Sequence, residues 1–300
     1  NSRLIRRPIQ RWFWLFILPV FICFCIGFLW PFLQGIYLSF CSFTVPRDAE
    51  FIGISNYTKA LSEPAFRHAF WNTAAFAVVS IVLINVVAFA VAYALTQKMR
   101  GSNLFRTVFF MPNLIGGVVL GYIWSLIFDG ILKHYGTYLT ANATYGFWGL
   151  VILVAWQQIG YMMIIYIAGL QAVPEDMLEA AKIDGANDVR IALQIYFPLS
   201  LPVLATITLF YGLNYWNDWY NGMIYITTPS RVPMQTYLRS ILIDMNVADM
   251  SADDYELYAM LANRTVKCSQ IIVATIPILC VYPFLQRYFV KGMVLGSVKG

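Results

Sequence analysis

The chain has 300 residues, of which 60% are hydrophobic and only 12% are charged, and its 20 Lys and Arg residues give it a net charge of +5. Soluble globular domains usually contain about 25% charged residues, so this composition excludes an ordinary soluble enzyme. The small positive excess is scattered along the chain, which argues against a nucleic-acid-binding protein.

Six long stretches contain no charged residue, and each is at least 19 residues long: 12–46, 68–97, 107–128, 134–174, 191–217 and 268–286. Because about 20 apolar residues in a helix cross a hydrocarbon core of roughly 30 Å, each stretch predicts a membrane-spanning helix. The predicted spans cover residues 12–38, 71–96, 106–128, 146–170, 199–226 and 268–287. We therefore expect an all-α, polytopic membrane protein with a single transmembrane domain over residues 1–300, whose first span is retained and not cleaved as a signal peptide.

The distribution of basic residues predicts the orientation of these spans. With the N-terminus in the cytoplasm, twelve of the 20 Lys and Arg residues fall in inner segments. Outside residues 171–198, those inner segments carry ten basic residues and no acidic one. By the positive-inside rule, both termini are predicted to be cytoplasmic.

Polar residues inside the second and fourth spans need partners in a membrane. Asn85 is predicted to make an interhelical hydrogen bond. Gln157 and Tyr161 lie four residues apart near the middle of the fourth span and so share a helix face. Either they line a pathway or they make ordinary interhelical hydrogen bonds, and the sequence leaves both interpretations open.

The longest predicted cytoplasmic loop, residues 171–198, contains five acidic residues and two basic ones. Pro174 suits the first turn of a helix, and acidic residues follow it at the positive end of that helix. Gly185 is typical of a position just beyond a helix C-terminus, and Asn187 or Asp188 can cap a second short helix. The pattern predicts a compact helix–turn–helix; the alternative is a solvated connector.

The fifth span carries a polar stripe, because Asn214, Asn217, Asp218 and Asn221 recur at helical spacing. Amides and a carboxylate are costly against lipid, so the stripe is predicted to line the bundle interior or a water-filled pathway. Aromatic residues such as Trp216 flank it, and aromatic faces beside hydrogen-bonding groups are what a sugar requires. The alternative for the tryptophans is an aromatic belt at the outer interface.

Signatures of catalysis are missing from the sequence. It contains no G-x4-G-K-[ST] phosphate loop and no G-x-S-x-G nucleophile motif. Its two histidines lie in different outer loops, without the carboxylate spacing of a metal site. No catalytic residue, metal ligand or cofactor is therefore assigned to this chain.

The cytoplasmic loop resembles the coupling motif of bacterial ABC importer permeases, E-A-A-x3-G-x9-I-x-L-P, with one departure from the pattern. The matching residues are Glu179, Ala180, Ala181, Gly185, Ile195 and Pro198, and Phe197 replaces the leucine. The resemblance implies that this loop docks as a helix into a groove of an ATPase subunit. The implied coupling residues are Glu179, Ala180, Ala181, Asp184, Gly185 and Pro198.

Further segments, 51–57, 72–73, 106–112 and 281–292, are similar to the sugar-importer branch of these permeases. Up to about Asn187 the chain resembles one of two paired permease types, and from about Pro198 it resembles the other. The resemblance therefore leaves open whether the chain pairs with a different permease, which we favour, or with a second copy of itself.

The resemblance implies a type I ABC importer permease fold in the bacterial inner membrane. It also implies two partner ATPase subunits that bind Mg-ATP, a second permease chain and an extracytoplasmic sugar-binding protein. The expected substrate is a sugar or oligosaccharide. The alternative function is a self-sufficient secondary sugar transporter, which has no need of an ATPase-docking loop.

Overall fold

The computed structural model describes residues 2–43, 46–97, 101–171, 173–228, 231–243 and 264–297, most of which are helical. The helices are α1 Ser2–Phe24, α2 Trp30–Ser39, α3 Ser55–Ser62, α4 Pro64–Thr96, α5 Ser102–Phe110, α6 Gly117–Lys133, α7 Ala143–Gln171, α8 Glu175–Ile183, α9 Asp188–Ile191, α10 Phe197–Trp216, α11 Tyr220–Tyr225, α12 Met234–Ile243 and α13 Arg264–Ser297. Short π-helical segments, Cys25–Leu29 and Ala192–Tyr196, join α1 to α2 and α9 to α10. Strands β1 (Cys41–Ser42) and β2 (Glu50–Phe51) pair in an antiparallel hairpin.

Within the described residues, five helical segments are long and apolar enough to cross a bilayer, or six if one bent pair counts as a span. The five are Leu15–Ser39, Pro64–Thr96, Ala143–Gln171, Asp188–Trp216 and Thr265–Phe284. Three basic residues of the predicted inner segments, Lys98, Arg100 and Lys299, lie outside the described residues.

The bent pair differs from the single helix expected over residues 106–128. Helix α5 continues through a 3-10 turn at Met111–Leu114, and α6 then begins at Gly117 after a bend of 101°. Pro112 cannot donate a backbone hydrogen bond, and two successive glycines follow at Gly116 and Gly117. These residues interrupt the helix despite the apolar character of the segment.

The fifth span also differs from its predicted extent, residues 199–226. Helix α10 ends at Trp216, and α11 begins only at Tyr220. Asp218 explains the break, because its Oδ1 accepts a hydrogen bond from the backbone N–H of Asn221 at 3.1 Å. A carboxylate in this position caps the start of a new helix.

The described residues form two compact units, which divide α13 between them after Ala274. The first unit comprises residues up to Glu63 together with residues 264–274. In it, the side chain of Asn56 is buried and donates to the carbonyls of Ser39 at 2.9 Å and Cys41 at 2.8 Å. Ser269 donates to the Asn56 carbonyl at 3.1 Å, so α13 is bonded to α3.

The second unit comprises residues 64–243 and 275–297, and its centre is the packing of α4 against α7. The predicted interhelical bond of Asn85 is confirmed, since the Tyr166 hydroxyl on α7 donates to Asn85 Oδ1 at 2.7 Å. The remaining core of this pair is apolar, with residues such as Ile84 and Met163 almost fully buried. A satisfied polar pair in an apolar core fixes the register of the two helices.

A close approach between backbones joins α7 to the α5 segment. Gly160 packs against the carbonyl of Phe109 so tightly that a Cβ there would overlap the oxygen. Only glycine fits this contact, which holds the bent segment against the central helix.

We predict that Gly160→Ala lowers the apparent melting temperature of the purified protein in detergent. The added methyl group must push the two segments apart, and overpacking of this kind costs about 1–3 kcal/mol. Gly130→Ala is the matched control, because it is also helical and a Cβ there meets nothing within 4 Å. The control should be neutral or stabilising, and equal effects of both changes would contradict the proposed contact.

Candidate functional site

A polar cavity of about 420 Å³ lies within the second unit, in the volume range of small-molecule sites. The residues that line it are Asn113, Val154, Gln157, Gln158, Tyr211, Asn214, Tyr215, Asn217, Asp218, Trp219, Tyr220 and Asn221. Six of these twelve are amides and four are aromatic, whereas only one is aliphatic. Amides both donate and accept hydrogen bonds, so the lining suits a neutral ligand rich in hydroxyl groups.

Both helix breaks of this unit contribute to the cavity. Asn113 belongs to the 3-10 turn that follows α5, whereas Asn217 and Asp218 belong to the break between α10 and α11. Asn113 donates to Gln158 Oε1 at 3.3 Å, which joins the first break to α7. Non-helical backbone within a membrane protein is tolerated where it is buried in protein or lines a cavity.

The carboxylate of Asp218 is held by the turn that it forms. Its Oδ1 accepts from the backbone N–H of Asn221, and its Oδ2 accepts from Asn221 Nδ2 at 2.8 Å. These two bonds fix the carboxylate at the wall of the cavity and leave it further capacity to accept hydrogen bonds.

Two polar atoms on residues that line the cavity are buried without a hydrogen-bond partner among the described residues. They are the hydroxyl of Tyr215, a residue only 5% exposed, and Oδ1 of Asn221. Buried polar groups are usually satisfied, so these two atoms are exceptions, and Asn221 Oδ1 lies against Gly121 of α6.

Helix α12 braces the same break through three contacts. Thr236 Oγ1 donates to the carbonyl of Trp219 at 2.9 Å, and Gln235 Nε2 donates to Asn217 Oδ1 at 3.1 Å. The guanidinium carbon of Arg239 lies 3.4 Å from the centroid of the Trp219 ring, a cation–π contact. Helix α12 thus holds residues 217–219 in one conformation.

The structure brings together most of the pathway residues named from sequence. Gln157, Asn214, Asn217, Asp218 and Asn221 all line the cavity. They do so although the four fifth-span residues do not share one continuous helix, because the Asp218 turn folds Asn221 back beside the others.

Trp216 and Tyr161 lie elsewhere. Trp216 is buried against the ring of Phe70 and lines a separate apolar groove, not the polar cavity. Tyr161 does not line the cavity and packs between Phe110 and Tyr211, with ring centroids 6.4 and 6.2 Å away. It adjoins the cavity only through Tyr211.

Sequence reasoning missed Asn113, Tyr211 and Tyr215 as cavity residues. Asn113 sits between Pro112 and the Gly116 pair, so these helix-breaking residues were the available signal. Tyr211 and Tyr215 lie one turn apart on the face of α10 that also carries Asn214, and their i, i+4 spacing was visible in the sequence.

The loop of residues 171–198, predicted to be cytoplasmic, forms the expected helix–turn–helix from α8 and α9. Gly185 has a φ of +78°, which suits glycine, and its N–H donates to the Lys182 carbonyl at 3.0 Å. The N–H of Ala186 donates to the Ala181 carbonyl at 2.9 Å, so α8 ends in a Schellman motif. Asn187 then caps α9, its Oδ1 accepting from the backbone N–H of Arg190 at 2.9 Å.

The predicted coupling residues lie on or beside this helical hairpin. Glu179, Ala180, Asp184 and Gly185 are exposed. Ala181 is half-buried against the apolar core, and Pro198 lies in the first turn of α10.

Large apolar side chains on the loop are exposed as well. Ile183 is 79% exposed, Val189 65% and Met177 46%. Exposed apolar side chains beside charged residues give the hairpin a mixed apolar and charged surface.

The loop is attached to the bundle at its second helix. The hydroxyl of Tyr93, near the end of α4, donates to the Asp188 carbonyl at 3.0 Å. The ring of Tyr93 also packs edge-on against Tyr196, with centroids 5.7 Å apart. From Tyr196, α10 runs without interruption to the cavity residues Asn214 and Tyr215.

The fold and site define a multi-pass helical permease of the membrane. The sequence profile described as "Binding-protein-dependent transport system inner membrane component" matches residues 100–295, and the chain belongs to this family. The protein is thus a permease subunit of an ABC importer.

Two curated relatives are similar over most of the chain. The probable starch degradation products transport system permease protein AmyD of Thermoanaerobacterium thermosulfurigenes is 42% identical over 68% of this chain and 72% of its own length. The polygalacturonan/rhamnogalacturonan transport system permease protein YtcP of Bacillus subtilis is 31% identical over 97% of this chain and 99% of its own.

Solved structures share the fold. A chain of a bacterial ABC transporter involved in the import of the acidic polysaccharide alginate is 26% identical, with a TM-score of 0.69 over 96% of this chain and 98% of that one. A chain of the alginate transporter in complex with an alginate pentasaccharide-bound periplasmic protein gives a TM-score of 0.68 at 16% identity, over 93% and 94% of the two chains.

We predict that Thr236→Val weakens the brace on the α10–α11 break. The substitution removes the hydroxyl that bonds the Trp219 carbonyl while keeping the side-chain volume, and the loss of one such hydrogen bond costs about 1 kcal/mol. The measurement is the apparent melting temperature in detergent. Thr227→Val, at an exposed position of the same outer segment, is the control and should change nothing; a melting temperature equally unaffected by Thr236→Val would contradict the brace.

Proposed function

We propose that the polar cavity is part of the pathway by which this importer moves a sugar or oligosaccharide. The observation that carries the proposal is the lining of six amides with the aromatic rings of Trp219 and three tyrosines. Amides bond hydroxyl groups in either direction, and aromatic faces pack against the C–H faces of a sugar ring. Both of these relatives are named for the transport of carbohydrates, which supports the same substrate class.

The cytoplasmic hairpin is proposed to dock into an ATPase subunit. It presents exposed Ile183, Met177 and Val189 beside the exposed carboxylate of Glu179. An amphipathic helix of this kind suits a groove on a partner. Mg-ATP is expected in the partner, and this chain contributes the mechanical connection.

The further partners proposed are a second permease chain and an external sugar-binding protein. A binding-protein complex supports the latter, since an alginate importer of the same fold is seen with its periplasmic protein. The proposed orientation places both termini in the cytoplasm, as the distribution of basic residues predicts.

The continuity of α10 supports a mechanism for transport. Its first turn adjoins the docked hairpin, and its last turns carry Tyr211, Asn214 and Tyr215 into the cavity. Closure of the ATPase pair would move the hairpin, and α10 would transmit that movement to the cavity wall. Rigid-body rocking of this kind exposes a site alternately to the two sides.

Native mass spectrometry of the detergent-solubilised complex tests the assembly. Two ATPase copies with this chain and a different permease would support the proposal with a heterodimeric pathway. Two copies of this chain with two ATPases would indicate a homodimeric one. A chain that co-purifies with no ATPase would contradict the proposed docking.

We predict that Glu179→Arg releases the ATPase subunit. Reversal of an exposed charge within the docking helix leaves the fold intact but opposes a complementary groove, and should weaken docking by at least about tenfold. The amount of ATPase that co-purifies with the tagged chain measures this. Asp48→Arg, an exposed carboxylate in the first unit, should leave co-purification unchanged, and retention of the ATPase by Glu179→Arg would contradict the docking surface.

We predict that Gln157→Leu, which removes an amide from the cavity wall, impairs transport without releasing the ATPase. Sugar uptake should fall by at least about tenfold, since a polar ligand then faces an apolar group in place of a hydrogen-bonding one. Uptake of radiolabelled maltotriose by cells expressing the complex measures this, with ATPase co-purification unchanged. Gln34→Leu on α2 replaces an exposed amide outside the cavity lining and is the control. Unaltered uptake by Gln157→Leu would count against the cavity.

A further inference from the structure

The charge of the saccharide can be inferred from the cavity, and this inference rests on the proposed function. Carbohydrate polymers divide into neutral ones and those built of uronic acids, whose monomers each carry a carboxylate. Burying a carboxylate is costly unless a cationic side chain or several N–H donors pair with it. A cavity for uronates should therefore present a base, most often arginine, to bind the carboxylate in bidentate fashion.

No lysine, arginine or histidine is among the twelve residues that line this cavity. Arg239 contacts one lining residue, since its guanidinium is stacked on the ring of Trp219. Arg239 itself does not line the cavity. A uronate bound here would lack a positive partner among the described residues that line the cavity.

The one acidic residue in the lining, Asp218, makes the cavity still less favourable to an anionic ligand. Asp218 is fixed at the wall by its two bonds to Asn221, so it cannot swing away from an approaching anion without losing the turn. For a neutral saccharide the same carboxylate is useful, because it accepts hydrogen bonds from sugar hydroxyls.

We propose that this cavity accepts uncharged saccharides and discriminates against uronates, and that Asp218 is the residue responsible for the discrimination. This assigns a neutral substrate to a chain whose relatives include an importer named for polygalacturonan and a structural neighbour that imports alginate. Substrate charge thus differs within one fold according to a few side chains in the cavity.

The test is equilibrium binding of two trisaccharides, maltotriose and trigalacturonate, to the purified permease–ATPase complex in nanodiscs. The binding protein is omitted so that its own selectivity does not contribute. The native complex should bind maltotriose at least about tenfold more tightly than trigalacturonate, because a like charge and an unpaired carboxylate oppose the latter.

Asp218→Asn isolates the charge. Asparagine also caps helices well, and Asn221 Oδ1, which has no partner in the native protein, can accept a bond from the new amide after a side-chain flip. The ratio of trigalacturonate affinity to maltotriose affinity should rise about tenfold, because both trisaccharides lose the same acceptor but only the uronate is relieved of a like charge. Asp218→Glu keeps the charge and should keep the native preference, and Asp48→Asn is the control for loss of a charge elsewhere.

The outcomes are distinct. Equal or tighter native binding of trigalacturonate overturns the charge inference while leaving a carbohydrate cavity in place. A parallel change of both affinities in Asp218→Asn overturns the role of Asp218. Binding of neither trisaccharide overturns the carbohydrate cavity and this inference with it. If Asp218→Asn does not assemble, the comparison of the two trisaccharides on the native complex decides the question of substrate charge.

Discussion

The pairing of backbone polar groups inside hydrocarbon is the constraint on which this structure depends. Helices satisfy it over most of the chain, and irregular backbone is tolerated only where protein or a water-filled cavity surrounds it. The second unit interrupts two apolar segments, at residues 111–116 and 217–219. Both interruptions supply residues to the same polar cavity, so the positions where the constraint is relaxed define the candidate site.

Close packing makes these interruptions rigid. Gly160 admits the Phe109 carbonyl, and the buried hydroxyl of Tyr225 donates to the Gly121 carbonyl at 2.9 Å, which fixes α11 to α6. The brace from α12 adds bonds to the carbonyl of Trp219. These contacts hold the non-helical backbone of the cavity wall against its neighbouring helices.

Much of this architecture could be predicted from residue patterns. Long uncharged stretches predicted the membrane-spanning segments, and Gly185 with Asn187 predicted the turn between α8 and α9, because turn chemistry is local. The interruptions were harder to predict. Helical spacing relates Asn214, Asn217, Asp218 and Asn221, which predicts one continuous helix. In the structure, however, Asp218 caps a new helix and the first helix ends before it. Whether Asp218 caps or merely lies on a helix face depends on tertiary contacts with α12.

Tertiary contacts also separate residues that look equivalent in sequence. Trp216 and Trp219 flank the same amides, but α10 turns Trp216 into an apolar groove whereas the break turns Trp219 into the cavity. The break therefore selects which aromatic ring a sugar would meet. The break also divides the fifth span into two helices. The longer one, α10, begins beside the hairpin of α8 and α9, and the shorter one, α11, contacts α6, α7 and α12. If α10 moves with the hairpin while α11 stays with its neighbours, the relative movement occurs at residues 217–219. The cavity would then change shape beside Asp218.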